Sequence, residues 1–332
     1  MAQMKYFYEL TISSSPHAHS PVTTQTIMRD VLIALIPAML GSIYFFGFRS
    51  LLVTLVSAAA CVFFEWGFCK VRKLHCKTYD LSAVVTGVLL AFVCPVTIPY
   101  WTIILGDFFA IVLVKILFGG LGKNIVNPAL AGRAFLFSWP VLMSNWVKVG
   151  FDNAAGLLST ADAVTAATPM SAMHQGALPE ESILDMFLGN IGGCIGETSA
   201  LLLIIGFIYL LYRKVITARI PLAYIGTVAI LAFLFPQGND RIAWMAAQVF
   251  GGGLMLGAIF MATDYVTSPL TKLGQIVYGI GCGVITILIR YFGGYSEGVT
   301  YAILCMNACA VLLDKIGRPV KFGAPKKEAA KK

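Results

Sequence analysis

The sequence predicts an all-α integral membrane protein with about ten transmembrane helices. Of the 332 residues, 58% are hydrophobic and 12% are charged, whereas a soluble domain carries about 25% charged residues. The apolar residues are gathered in runs close to the ~20 residues that cross a bilayer. Most Lys and Arg residues fall on one side of the membrane when the runs are threaded through it with both termini on the same side. The composition therefore excludes a water-soluble globular protein.

Ten apolar runs are the candidate spans. They lie at about 31–48, 51–69, 81–95, 98–118, 128–143, 192–212, 220–236, 243–262, 273–292 and 298–314. The third and fifth runs are short and interrupted by polar or small residues, so we expect broken or half helices, which occur at membrane depth where protein or a cavity surrounds them.

The runs divide into five helices at 31–143 and five at 192–314. If the two halves were related, they would have opposite orientations in the membrane. The internal matches are "DLSA" at 80–83 with "ETSA" at 197–200, and "FGG" at 118–120 with "FGGG" at 250–253. Chance is the simpler explanation of matches this short, and two inverted halves are the alternative.

The basic residues predict the orientation. With both termini in the cytoplasm, all Lys and Arg fall on the cytoplasmic side except Arg49, Lys148, Arg241 and Arg290, and cytoplasmic loops are enriched in basic residues. Residues 1–30 then form a cytoplasmic N-terminal segment and residues 315–332 a basic cytoplasmic tail. The loop at 144–185 lies outside the cytoplasm, and loops of this length are often functional. This placement explains the net charge of +8 without nucleic-acid binding.

Ionisable side chains in or beside the predicted spans mark candidate sites, because each costs at least ~2.5–3.5 kcal/mol to insert. Asp107, Glu197 and Asp264 are the candidate ion-path residues, and Glu65 lies in the second run. Asp107 precedes Lys115 by about two helical turns. That separation is too long for a direct pair, so each should have a partner elsewhere. Structural hydrogen bonds or an interfacial location would explain the same residues.

The segment "FGGLGKNIVNPALAGR" at 118–133 combines glycines, two asparagines and a proline at a predicted cytoplasmic membrane edge. Asn124 and Asn127 could satisfy backbone groups at a helix break, and Pro128 suits the first residue of the next helix. The segment lacks the Ser or Thr that follows Gly-Lys in a phosphate-binding loop. Helix breaking explains it, and a ligand bound by the exposed backbone is the alternative. The eight cysteines include no CxxC pair, so we expect them to pack as small apolar residues rather than to hold a cluster.

Several motifs resemble one known family. They are "SPH" at 15–17, "GDFFAIVLVKILFGGLGKNIVNPALAGRAF" at 106–135, "DAVTAAT" at 162–168, "GGCIGETSAL" at 192–201, "MATDYVTSPLT" at 261–271 and "EGVTYAILCMN" at 297–307. In this order, from residue 15 to about 320, they look like the NqrB/RnfD family, the large membrane subunits of two related ion-pumping redox complexes. The Rnf branch is the better match, because the B subunit of the sodium-pumping NADH:quinone reductase has an added N-terminal segment, whereas this sequence enters its first predicted span by about residue 31.

The resemblance implies a covalent FMN. The family's attachment motif is similar to D-x-x-[ST]-[GSA]-A-T, in which the last threonine carries FMN through a phosphoester bond. Asp162, Thr165, Ala167 and Thr168 match it, so the implied attachment residue is Thr168.

Two features of the motif bear on its chemistry. Alanine stands at 163 and 166, where glycine or serine is commoner in the family. Pro169 disfavours helix at the preceding residue, so we expect an extended segment with an exposed Thr168 that a modifying enzyme can reach. Without the family match, an ordinary Ala/Thr surface loop explains the motif.

By resemblance, the chain relays electrons in a complex that links reduced ferredoxin and NAD to Na+ or H+ movement across the cell inner membrane. A second, noncovalent flavin (riboflavin) is implied, and we place it near Asn124, Asn127 and Arg133. The implied partners are the FMN-bearing G subunit, the A and E membrane subunits, the B and C soluble-domain subunits, the FMN transferase that matures the chain, and membrane lipid.

Three other functions stay open from the residues alone. The chain could resemble the B subunit of the NADH:quinone reductase in function, and it would then also carry flavin. A solute transporter or channel without a redox centre would also have broken helices and buried carboxylates. A purely structural assembly protein would tolerate substitution of Thr168. A bound flavin spectrum separates the flavin proteins from the other two.

Overall fold

A computed structural model describes residues 22–73, 78–147, 168–179, 181–238 and 240–317. Its regular elements are helices, and no β-strand occurs in these ranges. The ends of the predicted terminal segments, 1–21 and 318–332, lie outside the described ranges, as do residues 148–167 of the predicted loop.

The first group of helices covers the five runs at 31–143. The helices are α1 (Thr24–Phe46), α2 (Phe48–Arg72), α3 (Ser82–Phe92), α4 (Tyr100–Phe108, continuing as a π-helix over Phe109–Ile116), α5 (Pro128–Leu136) and α6 (Pro140–Met143). Asn127 caps α5 by accepting from the backbone N–H of Ala129 at 3.0 Å, and Pro128 is the first helical residue, as predicted.

The second group begins with two short helices. The helices are α7 (Pro169–His174), α8 (Ile183–Leu188), α9 (Ala200–Tyr212), α10 (Arg219–Leu234), α11 (Arg241–Phe250), α12 (Leu254–Leu256, continuing as a π-helix over Gly257–Met261), α13 (Lys272–Phe292) and α14 (Val299–Leu313).

Each predicted apolar run overlaps a helix, but helix length supports fewer spans than ten. By length and composition, α1, α2 and α13 are long and apolar enough to cross a membrane. A fourth span arises if α11 and Leu254–Met261, which are bent by 58°, are counted as one. Helices α3, α9, α10 and α14 are apolar but shorter. The class of all-helical protein with several apolar helices is confirmed in the described ranges, and the count of ten stays a prediction.

The shapes of four runs bear on the prediction. The third and fifth runs are short or interrupted, as predicted, with α3 ending at Phe92 and α5 at Leu136. The eighth run, 243–262, breaks at residues 251–253, and the sequence analysis did not predict this break. Gly252 and Gly253 have φ of +65° and +68°, a conformation that ends a right-handed helix. The sixth run becomes helical only from Ala200, after "GGCIGETS".

Small residues bring α10 and α13 together. A Cβ on Gly279 would lie 2.8 Å from Ala223 Cβ, and one on Gly283 would lie 2.7 Å from Thr227 Cβ. Glycine four residues apart is the spacing that lets helix backbones approach closely in membranes. Beside this contact the Tyr224 hydroxyl lies 2.6 Å from the Thr286 hydroxyl, in the buried interior.

Candidate functional site

Thr168 lies at the edge of a small pocket, which we call the Thr168 pocket. It is lined by Thr168, Pro169, Met170, Ile191, Gly192, Gly193, Cys194, Glu197, Thr198, Gly251, Gly252, Gly253 and Glu297. Thr168 has extended backbone, with φ −81° and ψ 150°, as predicted from the following proline. It is only 8% exposed, so the expectation of an exposed threonine was wrong. The reason is that Met170 and Met173 on α7 pack into the core and draw the start of the helix inward.

The glycine break between α11 and α12 forms the floor of this pocket. A Cβ on Gly253 would lie 2.4 Å from Glu197 Oε1, and one on Gly252 would lie 2.8 Å from Met170 Cγ. Both positions also have positive φ, which side chains other than glycine rarely adopt. The backbone therefore approaches Glu197 and Met170 more closely than any other residue type would allow.

A buried ion-pair network lies behind the pocket. Arg133 on α5 donates from Nη1 to Glu197 Oε1 at 3.3 Å and to Thr300 Oγ1 at 3.1 Å. Its Nη2 donates to Glu297 Oε2. Cys194, Glu197 and Glu297 offer ligand atoms within 4.8 Å of one another, but both carboxylates are already paired with the Arg133 guanidinium. The cluster is therefore an ion-pair network rather than a favourable metal site.

A second buried arginine holds the glycine break in place. Arg290 on α13 donates to the carbonyl of Gln248 at 2.6 Å and to that of Gly251 at 3.2 Å, and to that of Glu297 at 2.9 Å. Carbonyls at the end of a helix lack intrahelical partners, and a cation there is favourable. Sequence reasoning placed Arg290 outside and gave it no role. The available signal was that Arg290 is one of the few basic residues on the predicted non-cytoplasmic side of the membrane.

A larger cavity, about 80 Å³ in volume, lies among α1, α3, α5 and α12 and is called here the asparagine cavity. Its polar lining consists of Ser82, Thr86, Lys115, Asn124, Asn127, Thr263, Asp264 and Tyr265. Asn127 Nδ2 donates to the Met261 carbonyl at 3.3 Å, whereas Asn124 Oδ1 is buried without a hydrogen-bond partner in the described ranges. Burial raises the pKa of Asp264, and the hydrogen bond from Thr267 opposes that shift.

The pocket and the cavity lie at opposite ends of the same two helical segments. On α5, Asn127 faces the cavity, whereas Arg133 lies behind the Thr168 pocket. Six residues of α-helix correspond to about 9 Å. Similarly, the segment after Gly253 runs from the pocket to Met261, whose carbonyl binds Asn127. The structure therefore separates Arg133 from Asn124 and Asn127, with which the sequence prediction had grouped it.

The predicted ion-path residues lie in three places. Glu197 belongs to the Thr168 pocket and Asp264 to the asparagine cavity. Asp107 is fully buried between α4 and α2, where its Oδ1 lies 2.7 Å from Ser57 Oγ. The structure does not bring these three side chains together.

The prediction that Asp107 and Lys115 have separate partners is confirmed. Lys115 Nζ lies 2.8 Å from Glu65 Oε1 and 2.8 Å from Ser82 Oγ. Both side chains of the Lys115–Glu65 pair are almost completely buried. Sequence reasoning named both residues but did not pair them.

Thr168 has the chemistry for attachment, although its pocket is small. Its side chain forms no capping hydrogen bond on α7, so the hydroxyl oxygen is available for an ester. The pocket volume is about 20 Å³, whereas sites that enclose small ligands have about 300–1,000 Å³. The pocket therefore fits the attachment atom and does not enclose a flavin ring. Asp162, Thr165 and Ala167 lie outside the described residues.

Comparison with known proteins gives a match over nearly the whole chain. A family model described as the NQR2, RnfD, RnfE family matches residues 11–323. The chain is 45% identical over 323 residues to the D subunit of the Na(+)-translocating ferredoxin:NAD(+) oxidoreductase complex of Acetobacterium woodii, covering 96% of each chain. It is 44% identical over 330 residues to the D subunit of the proton-translocating complex of Clostridium ljungdahlii, covering 94% of this chain and 96% of the relative. The D subunit of an ion-translocating oxidoreductase complex of Actinobacillus succinogenes is 34% identical over 341 residues, covering 93% of this chain and 96% of the relative.

Proposed function

The chain belongs to the NQR2, RnfD, RnfE family, and from that membership we propose that it is the D subunit of an ion-translocating ferredoxin:NAD oxidoreductase. The observation that carries the proposal is the end-to-end identity of 45% and 44% to two relatives named as this component of the complex. In this function the chain works with the A, B, C, E and G subunits of the complex and with the surrounding lipid. The ion is Na+ or H+, since relatives named for each are almost equally similar.

Within this function we propose that Thr168 carries FMN through a phosphoester bond formed by an FMN transferase. Three features support the proposal: the motif at residues 162–168, the extended backbone at Thr168 and its hydroxyl without a capping bond. When bound, the flavin would supply the electron chemistry, while the protein supplies attachment and electrostatics. The Arg133 network places paired charges behind the pocket, and the glycine break leaves the backbone of residues 251–253 facing it.

We also propose that a riboflavin binds in or beside the asparagine cavity. The unpartnered Asn124 Oδ1 supplies a hydrogen-bond acceptor of the kind that orients a ligand in a mostly apolar site. The present volume of about 80 Å³ does not enclose a flavin, so binding would require the cavity walls to move apart. The proposal requires that the purified chain releases riboflavin when it is denatured. The Asn124→Leu variant should release none.

The FMN proposal is tested by the mass of the purified chain. We expect one added FMN, located by peptide mass spectrometry on the peptide that contains residue 168, and a fluorescent band on a denaturing gel. Thr168→Ala should remove both signals completely. The matched control is Thr198→Ala, because Thr198 is a buried threonine of the same pocket and should leave the attachment intact. Covalent fluorescence that survives in the Thr168 variant would refute the assignment.

A further inference from the structure

Asp107 is a buried carboxyl group without a cationic partner among the residues that the structure describes. It is fully buried, and its Oδ2 has no hydrogen-bond partner in the described part of the chain. The other deeply buried carboxylates differ in this respect: Asp30 pairs with Arg213, Glu65 with Lys115, and Glu197 with Arg133. An ionised carboxylate buried without a cation is very unfavourable.

The hydrogen bonds of Ser57 show how Asp107 is accommodated. Ser57 Oγ lies 2.7 Å from Asp107 Oδ1 and 2.8 Å from the Gly87 carbonyl oxygen. A serine hydroxyl has one hydrogen to donate. If that hydrogen goes to Gly87, the contact with Asp107 is favourable only when Asp107 itself carries a proton and donates it to Ser57. An ionised Asp107 would take the serine hydrogen and leave Ser57 Oγ facing the Gly87 oxygen with no hydrogen between them.

The close packing of α3 on α2 makes this arrangement possible. A Cβ on Gly87 would lie 2.7 Å from Ala58 Cα, so glycine is needed for the approach of its carbonyl to Ser57. The remaining neighbour of Asp107 Oδ1 is the Cys61 thiol, with Sγ at 3.2 Å, which is a weak donor. Ser57 and Cys61 are spaced four residues apart on one face of α2.

The titratable groups on the helices packed around Asp107 are already engaged or distant. On α2, Glu65 follows Cys61 by one turn and pairs with Lys115, which lies two turns along the helix of Asp107 itself. On α5, Arg133 is held by Glu197 and Glu297. Helix α3 has no titratable residue.

The position of this group relative to the asparagine cavity follows from the helix that carries it. Lys115 and Ser82 line the cavity and hydrogen-bond to each other at 2.8 Å. Ile111 lies one helical turn from both Asp107 and Lys115 and belongs to a buried cluster with Cys61 and Ala83. Asp107 is therefore separated from the cavity by one apolar layer.

We propose that Asp107 is a buried proton-binding site that exchanges its proton with the asparagine cavity past the layer of Cys61, Ala83 and Ile111. In the loaded state the carboxylic acid donates to Ser57, and Ser57 donates to the Gly87 carbonyl. In the unloaded state the proton has left to water in the cavity, and the Ser57 hydrogen turns from Gly87 to the carboxylate. No covalent bond other than O–H changes. The proposal is independent of the flavin and of the place of the chain in the complex.

Infrared spectroscopy of the purified full-length chain, labelled with 13C-aspartate, tests the proposal. At neutral pH an ordinary aspartate, with a pKa of about 3.9, is ionised. We expect a protonated-carboxyl C=O band that moves with the label and shifts in D2O. Asp107→Asn should remove it while keeping a donor to Ser57.

Two further variants keep the test decisive if Asp107→Asn does not fold. Ser57→Ala removes the acceptor of the acid proton, so the band should shift to higher wavenumber. Ser42→Ala is the matched control, because Ser42 is a buried serine bonded to Met39 and Ser50 and should leave the band unchanged. Absence of the band in the wild-type chain at neutral pH would overturn the proposal. Loss of the band on adding Na+ at constant pH would also overturn it, since the site would then take a metal cation.

Discussion

Arg133 and Arg213 form ion pairs of very different character. The Arg133 side chain is 2% exposed and has two carboxylate partners, Glu197 and Glu297. The Arg213 side chain is 46% exposed and pairs with Asp30, which also accepts from the Tyr209 hydroxyl at 3.3 Å. Removing a fully buried partner leaves charge without compensation, whereas a pair with one solvent-exposed partner is weakened by water and contributes less. The two arginines therefore make a matched test of the network behind the Thr168 pocket.

Arg133→Leu should destabilise the chain by about 3–5 kcal/mol, the range for breaking a buried pair. Arg213→Leu should lower the thermal midpoint in detergent less, because Asp30 keeps the hydrogen bond from Tyr209 and the lost guanidinium was half exposed. Thermal unfolding of both purified variants measures the difference. Equal losses would show that the Arg133 network does not act as a buried ion pair.

Residue identity alone marked the unusual positions but not their partners. Asp107, Glu197 and Lys115 stood out because placing an ionisable side chain in a membrane span costs free energy, and that cost can be assigned to each residue separately. Their partners are far along the chain: Lys115 and Glu65 are 50 residues apart, and Arg133 and Glu197 are 64 apart. Nothing in the local sequence specifies such a pair.

At the scale of elements, the structure is set by where helices stop. Asn127 and Pro128 end one segment and start α5, which the sequence showed, because capping depends on adjacent residues. The break at residues 251–253 was missed because apolar residues flank the glycines on both sides. Its geometry depends on Glu197 and Arg290, which come from other elements.

Gly253→Ala should destabilise the chain by more than about 1 kcal/mol, because a left-handed conformation alone costs an L-residue roughly 1–2 kcal/mol. The new Cβ would also meet the Glu197 carboxylate. Gly67→Ala is the control: Gly67 lies within α2 with no atom within 4 Å of its added Cβ. That change should stabilise by about 0.5–1 kcal/mol. Thermal midpoints compare the two, and a tolerated Gly253 variant would contradict the close approach.

At the scale of the whole molecule, orientation is the prediction that awaits measurement. The distribution of Lys and Arg places Ser144 outside and Lys214 in the cytoplasm, and both residues are exposed in the structure. They are therefore suitable positions for an introduced cysteine that can be labelled.

A membrane-impermeant maleimide should label Ser144→Cys in intact cells and Lys214→Cys only after permeabilisation. The unsubstituted chain, which has an exposed Cys305, gives the background. The reverse pattern would invert the topology and place Thr168 on the cytoplasmic side.

The sequence by itself determined the helical membrane class, the approximate position of the apolar segments and the cap of α5. These properties follow from composition, hydropathy and short motifs, which are local along the chain. The candidate attachment threonine is implied by the resemblance of residues 162–168 to a family motif. Only the tertiary structure decided that Thr168 is drawn into a pocket beside Gly252 and Gly253, that Arg133 lies at the other end of α5 from the asparagines, and that Asp107 has no cation beside it in the described ranges. Each of these depends on contacts between distant helices, such as the 164 residues between Arg133 and Glu297, and packing rather than local propensity selects them.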